Sequence, residues 1–200
     1  MFENTRVILA SQSARRRELM SYLFDSFEII PSGADETPPE NIPPEDIPEV
    51  LAVRKAMYVA ESCPEALVIG CDTVVVLDGV IFGKPKSTDE AFSMLKALSG
   101  NTHTVVSGVC LCCRKKTMSF TQKTLVTFYP LSDGDIKAYI SESSPLDKAG
   151  SYGIQDRGGL FVEKINGDHY NVIGLPIARI KNELRRFEKI LEGGRSHAEV

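Results

Sequence analysis

Apolar residues fall along this chain in short blocks separated by polar, glycine-rich or proline-rich stretches, and the spacing inside each block predicts its element. Val7-Ile8-Leu9-Ala10 has the length and character of a buried strand. Ser11-Gln12-Ser13 leads from it into a basic segment, Arg15-Arg16-Arg17, where Leu19, Met20 and Leu23 give a helix one apolar face. Phe27 to Ile30 reads as a second strand, ended by Pro31 and Gly33. Five of the eleven prolines lie in residues 38–48, which marks a loop. The helix after it carries Pro48 in its first turn, where a missing N–H costs nothing, and its apolar side reads as Val50, Val53, Met57 and Ala60.

Leu67 to Gly70 is a second buried run, passing through Cys71-Asp72-Thr73 into Val74 to Leu77. Asp78-Gly79 is a two-residue hairpin signal with Val80 to Phe82 as the returning strand. Ser87 and Glu90 stand at capping-box spacing before a helix that carries Phe92, Leu95 and Leu98 inward and closes at Gly100. Two long strands, 102–114 and 118–129, are joined at Lys115-Lys116, and Ser132 with Asp135 opens a short helix ending near Ser141. Residues 142–159 read as a loop, Leu160 to Ile165 as a strand and Asn166-Gly167 as a turn. The last helix begins near Pro176 and repeats Ile177, Ile180, Leu184, Phe187 and Leu191 on one side. Strands and helices mix without strict alternation, so the expected class is α/β or α+β with a mixed sheet. The expected organisation is one domain over 1–192, with 193–200 as a disordered tail.

Composition narrows the function. With 42% hydrophobic and 25% charged residues the chain is that of an ordinary folded protein. A net charge of -4 argues against a broad electrostatic grip on DNA or RNA and leaves a small charged ligand as the better fit. No apolar run approaches the ~20 residues that cross a bilayer. Five cysteines, an odd number, with no secretory signal at the N-terminus, point to the cytoplasm.

Five places carry candidate chemistry. Ser11, Ser13, Arg15 and Arg16 stand where a strand hands over to a helix, a place suited to phosphate oxygens; the same residues also fit a capped helix with surface arginines. Asp72-Thr73 sits at the junction of two apolar runs, where a carboxylate can take a proton from water or hold a hard cation, or be satisfied by turn amides. Asp35-Glu36 suggests a cation bridged to phosphate, against the commoner solvated acidic turn. Lys55, read as lying off the apolar stripe of its helix, and Lys84, between Gly83 and Pro85, are point charges suited to phosphate or plain surface lysines. The loop 147–155 has small residues that admit a flat ligand and Gln155, whose amide can pair with a base edge. Cys110, Cys112 and Cys113 lack zinc spacing, the three histidines lack metal-ligand spacing, and Ser107-Gly108 is not a nucleophile elbow.

Together these segments resemble the Maf family of nucleotide pyrophosphatases: Leu9 to Leu19, Ala34-Asp35-Glu36, Arg54-Lys55-Ala56, Gly70 to Val75, Gly83-Lys84-Pro85, Leu98-Ser99-Gly100, Ala149 to Gln155 and Gly174-Leu175-Pro176, in order over nearly the whole chain. The resemblance implies an elongated, curved mixed sheet with two lobes around a cleft, similar to the inosine-triphosphate pyrophosphatases. It implies hydrolysis of a nucleoside triphosphate to the monophosphate and pyrophosphate with a magnesium or manganese ion at Glu36 and Asp72. Arg16, Glu36, Lys55, Asp72 and Lys84 match the family's reaction centre, with Asp72 as proton acceptor. Arg15, Thr73 and Gln155 match the branch similar to enzymes acting on dTTP and UTP, with Ser11 and Ser13 as further substrate contacts. A role in clearing modified pyrimidine nucleotides, and a homodimer, are further expectations. The alternatives are a 7-methyl-GTP pyrophosphatase and a nucleotide-binding regulator of cell division. Three positions depart from the family pattern: Ala14 stands in place of proline, and the pair Asp156-Arg157 brings charge toward the base pocket.

Overall fold

The computed structural model describes residue 2 and residues 5–193. One seven-stranded mixed sheet organises it. In chain order the elements are β1 (Val7–Leu9), α1 (Ala14–Met20), β2 (Glu28–Ile29), α2 (Ile47–Ser62), β3 (Leu67–Leu77), β4 (Val80–Phe82), α3 (Thr88–Leu98), β5 (Thr102–Cys113), β6 (Lys116–Phe128), α4 (Asp133–Glu142), β7 (Val162–Asn166), α5 (His169–Ile173) and α6 (Ile177–Gly193). The strand order is β2-β1-β3-β5-β6-β7, with β4 folded back on β3. The β1–β2 and β1–β3 pairs are parallel and the rest antiparallel.

The long central strands give the molecule its two lobes. Alternate residues of a strand face opposite sides. On one side, Cys71 and Leu111 pack with α1 and α6 through Leu19, Ile180 and Phe187. Farther along the same strands, Val75 and Val105 pack with α3 and α4 through Leu95, Leu98, Ile136 and Tyr139. Thr73 and Ser107, paired across β3 and β5, fall in the seam between these two cores. The opposite side carries α2, whose Ala52, Ala56 and Val59 meet Val68, Cys110 and Cys112.

Local signals give most turns and caps. Asp78 and Gly79 take φ of 50° and 77°, the two positive angles of the expected hairpin turn. Ser87 and Ser132 cap α3 and α4, and Ser132 with Asp135 forms the reciprocal box. The second hairpin turns at Arg114-Lys115 (φ 51° and 61°) rather than at Lys115-Lys116, because β6 already begins at Lys116. The loop at 142–159 contains three short 3-10 turns. α5 was not expected; Asp168 caps it through Tyr170 N–H, and Gly174 ends it at φ 122°. α6 runs to Gly193, and the rest of the expected tail, 194–200, lies outside the described residues. Among the described residues no helix is long and apolar enough to cross a membrane.

The inward face of α2 differs from the expected one. Its buried residues are Ile47, Pro48, Leu51, Ala52, Lys55, Ala56 and Val59, while Met57 is half exposed and Val50, Val53 and Ala60 lie on the flanks. Two glycines select this face. A Cβ on Gly70 would stand 2.3 Å from Ala52 O, and one on Gly108 2.2 Å from Pro48 C and Glu49 N. The helix therefore lies backbone-close on β3 and β5, with small residues at the contact, and Lys55 belongs to the buried stripe.

One buried group makes the far lobe sensitive to acid. His103 is 1% exposed, and its Nε2 lies 2.8 Å from Tyr152 Oη. Burial lowers its pKa to about 4. The neutral ring protonated on Nε2 leaves only a lone pair, not an N–H, unpaired at Nδ1. The unfolded chain protonates His103 near pH 6.5, so stability from this group is fully present above that pH and is lost as pH falls toward 4, by up to about 3 kcal/mol. Urea unfolding of wild type and His103→Phe at pH 7 and pH 4.5 checks this: the variant should lose less stability between the two.

Candidate active site

The site begins with a gap in the sheet. β5 pairs along one edge of β3 from Val68 to Val76. On the other edge β1 pairs only with residues 67–69 and β4 only with 75–77. Residues 70–74, which include Asp72 and Thr73, thus have no strand on that side. The chain leaving β1 fills the space: Ser13 caps α1, accepting from Arg16 N–H, and the Ser11 hydroxyl accepts from Ser13 N–H. Ser13 opens the helix with Ala14 in its first position, so the missing proline does not prevent the start.

Arg16 closes the gap from α1. Its Nη1 donates to the unpaired Cys71 carbonyl (2.8 Å) and to Ser11 Oγ (3.3 Å). Nη2 donates to Thr73 Oγ1 (2.9 Å), and Nε to Gly174 O at the end of α5 (2.9 Å). Four of its five N–H bonds are therefore used within the protein. Thr73 Oγ1 also pairs with Ser107 Oγ at 2.9 Å and lies 3.4 Å from Gly174 O. Ser107 and Asn171 are fully buried, and Asn171 anchors α5 by donating to Val105 O and Thr124 Oγ1. Burial raises the pKa of Cys71, the thiol beside this knot, so it stays protonated.

On the opposite side of β3, Asp72 faces α2. Lys55 Nζ lies 2.7 Å from Asp72 Oδ1 and 2.8 Å from Glu36 Oε2. The lysine and Asp72 side chains are 10% and 14% exposed, whereas Glu36 is 62% exposed. Arg54 steadies the loop bearing Glu36 by donating to Asp35 O and Thr37 O. Asp35 is not part of the centre: its carboxylate accepts from Thr37 N–H, and the Thr37 hydrogen bonds lower its pKa. Lys84, exposed on the segment after β4, has no hydrogen bond or ion pair among the described residues.

The third wall is the loop after α4. Arg15 reaches it, with Nη1 2.9 Å from Asp147 Oδ2. Partial burial disfavours the ionised Asp147 carboxylate, yet hydrogen bonds from Lys148 and Arg15 outweigh this and lower its pKa. Lys148 is buried and donates to Ser144 O (2.6 Å) and Asp147 Oδ1 (2.8 Å). Asp156 does not face the cavity, as its charge had suggested it would. It caps the turn at Gly158 N–H, accepts from Tyr139 and pairs with Lys148, while Arg157 pairs with Glu142 on the surface.

These walls enclose a cavity of about 770 Å³, within the range of small-ligand sites. The ten residues matched to the family's reaction centre, substrate contacts and specificity positions line it, whereas Asp35 does not: Ser11, Ser13, Arg15, Arg16, Glu36, Lys55, Asp72, Thr73, Lys84 and Gln155. Asp147, Lys148 and Tyr152 of the candidate loop 147–155 line it too, though the sequence attaches no role to them singly, and the supports Ser107 and Asn171 behind it are not marked by the sequence. Ser107 lies opposite Thr73 across β3 and β5, strands joined through β4 and α3 rather than by a hairpin, so no local turn signal reports that register. Nothing local marks Lys148. For a cation, no three His, Cys, Asp or Glu side chains form a ready cage among the described residues. Glu36 and Asp72 are nevertheless a suitable pair of hard donors, because magnesium takes one or two carboxylates and completes its shell with phosphate and water.

The fold and site define a small mixed α/β protein with a polar cleft that joins paired carboxylates to basic groups. Residues 6–187 match the family described as Maf-like protein, and the chain belongs to that family. It is 48% identical over 193 residues to the dTTP/UTP pyrophosphatase of Bacillus cytotoxicus, covering 96% of this chain and 99% of that protein. To a dTTP/UTP pyrophosphatase of Bacillus cereus it is 46% identical over 183 residues, covering 92% and 96%. Among solved structures, the Staphylococcus aureus Ham1 protein aligns with a TM-score of 0.47 at 15% identity, over 62% of this chain and 72% of that one.

Proposed function

We propose that this protein is a nucleoside triphosphate pyrophosphatase that hydrolyses dTTP and UTP to the monophosphate and pyrophosphate. The observation that carries the reading is Asp72, held by Lys55 through Oδ1 and lining a cleft of nucleotide size. Oδ2 of Asp72 has no hydrogen bond among the described residues and is the acceptor for the proton of the attacking water. Water oxygen bonds to the α-phosphorus, the bond from that phosphorus to the α,β-bridging oxygen breaks, and pyrophosphate leaves. Lys84, whose ammonium has no partner among the described residues, meets charge growing on the leaving group, and Ser11 and Ser13 donate to the non-bridging oxygens. Arg16 contributes its charge and one remaining Nη2 hydrogen while holding the seam. Glu36 and Asp72 would hold a magnesium or manganese ion, which supplies charge neutralisation to the triphosphate when bound.

The base preference rests on Arg15, Thr73 and Gln155, and on the similarity to the two Bacillus enzymes named for dTTP and UTP. Thr73 adds a physical reason. It accepts from Arg16, and when its own proton goes to Ser107 Oγ the one valence left for a ligand is a lone pair, an acceptor. Thymine and uracil offer a donor in their N3–H; cytosine has an acceptor there. The test is pyrophosphate release from dTTP, UTP, CTP, 7-methyl-GTP and ITP, with and without magnesium or manganese. Metal-dependent release from dTTP and UTP is the expected result. Release from 7-methyl-GTP alone would overturn the base preference, and binding without release from any nucleotide would overturn the reaction.

A further inference from the structure

Two of the three residues assigned to base selection, Arg15 and Gln155, lie on separate segments, yet one run of polar contacts joins them. Arg15 Nη1 pairs with Asp147 Oδ2 at 2.9 Å, and Nη2 donates to the Asp147 carbonyl at 3.2 Å. The other oxygen of that carboxylate accepts from Lys148 Nζ at 2.8 Å. The same ammonium donates to Ser144 O at 2.6 Å and stands 3.5 Å from Asp156 Oδ2. Asp156 Oδ1 accepts from the Tyr139 hydroxyl (3.1 Å), whose oxygen accepts from Gly153 N–H (3.1 Å), two residues before Gln155. Asp156 Oδ1 also accepts from Gly158 N–H at 2.8 Å, so one carboxylate fixes both ends of the turn that presents Gln155.

We propose that Lys148 is a positioning residue for base selection: its buried ammonium sets Arg15 through Asp147 and Gln155 through Asp156 and Tyr139. The physical case lies in its hydrogen-bond inventory. An ammonium has three N–H bonds, and burial is tolerated when each finds an acceptor. Lys148 is 8% exposed; its ammonium donates to two acceptors, Ser144 O and Asp147 Oδ1, and is ion-paired with Asp156 Oδ2 at 3.5 Å, so each contact falls on a different residue of the loop. The pocket leaves no slack around it: a Cβ on Gly153 would stand 2.6 Å from Asp156 Oδ2 and 2.8 Å from Lys148 Cε. Arg15 and Gln155 are thereby held at a fixed separation, which is what reading a flat base requires.

This inference rests on the pyrophosphatase reading above, and the experiment separates the two. Lys148→Met keeps the apolar stem and removes the charge. KM for dTTP and UTP should rise about tenfold with kcat within about twofold, and the kcat/KM preference for dTTP over CTP should fall about tenfold. The effect should be smaller in a Gln155→Ala or an Arg15→Ala background than in wild type, since residues acting through one another are not additive. Asp147→Asn, at a half-exposed carboxylate, carries the same test at the Arg15 end if Lys148→Met does not fold. A lower Tm with KM and base preference at wild-type values would overturn the proposal and leave the reaction standing. So would a uniform loss of kcat on every nucleotide. Wild-type protein that releases no pyrophosphate from any nucleotide would overturn both.

Discussion

Asp72→Asn should lower kcat for dTTP by about 10²–10⁴-fold, the contribution expected of a positioned general base. The amide keeps the shape of the carboxylate and can still accept from Lys55 through its oxygen, so the 2.7 Å contact and the seat of α2 need not change. What the amide lacks is basicity at the free oxygen's place, and with it the ability to take a proton from water. A fold change in kcat with an unaltered thermal midpoint therefore separates chemistry from structure. Asp35→Asn, at the neighbouring acidic position, is the control. Asp35 accepts from Thr37 N–H in its own loop and does not line the cavity, so kcat should stay within about twofold of wild type. Turnover near wild type in Asp72→Asn would remove Asp72 from the proton transfer.

The contrast between Asp72 and Asp35 shows where sequence is informative. Turns and caps depend on a few adjacent residues, so Asp78-Gly79, Ser87 and the Ser132–Asp135 box were legible. The mixed sheet followed from the order of apolar runs. All ten site residues could be named because they sit in short motifs, and the fold brings them to one cavity. What they do there depends on partners far away in the chain. Arg16 looked like a phosphate grip, yet it meets Gly174 across 158 positions and spends most of its donors closing the gap in β3. Lys55 looked like a flank residue because the larger side chains Val50, Val53 and Met57 trace the more visible stripe. The buried face is instead chosen by contact of α2 with two glycines on other elements, which no periodicity within α2 can report. α5 is five residues long, too short for a periodic signal, and only its Asp168 and Gly174 ends could have marked it.

That glycine contact gives the second large effect. Gly70→Ala should destabilise the protein by about 1–3 kcal/mol, the usual range for forcing a methyl into a packed interior. It should also cut kcat well beyond what the loss of folded protein explains. The new Cβ would stand 2.3 Å from Ala52 O and 2.8 Å from Ala56 N, both backbone atoms, so relief cannot come from a side-chain rotation. α2 must move away from β3 at the two positions that bracket Lys55. Gly70 and Asp72 project from the same side of β3, and Lys55 reaches Asp72 only because the helix is seated there. Lifting it lengthens the Lys55–Asp72 contact and weakens the hold on Glu36 together with it, whereas the Arg16–Thr73–Ser107 knot on the other side of the strand stays in place. Urea unfolding measures the first effect. Steady-state kinetics under conditions where the variant is fully folded measures the second. Wild-type kcat in a destabilised but folded variant would show that the precise seat of α2 does not matter to the reaction.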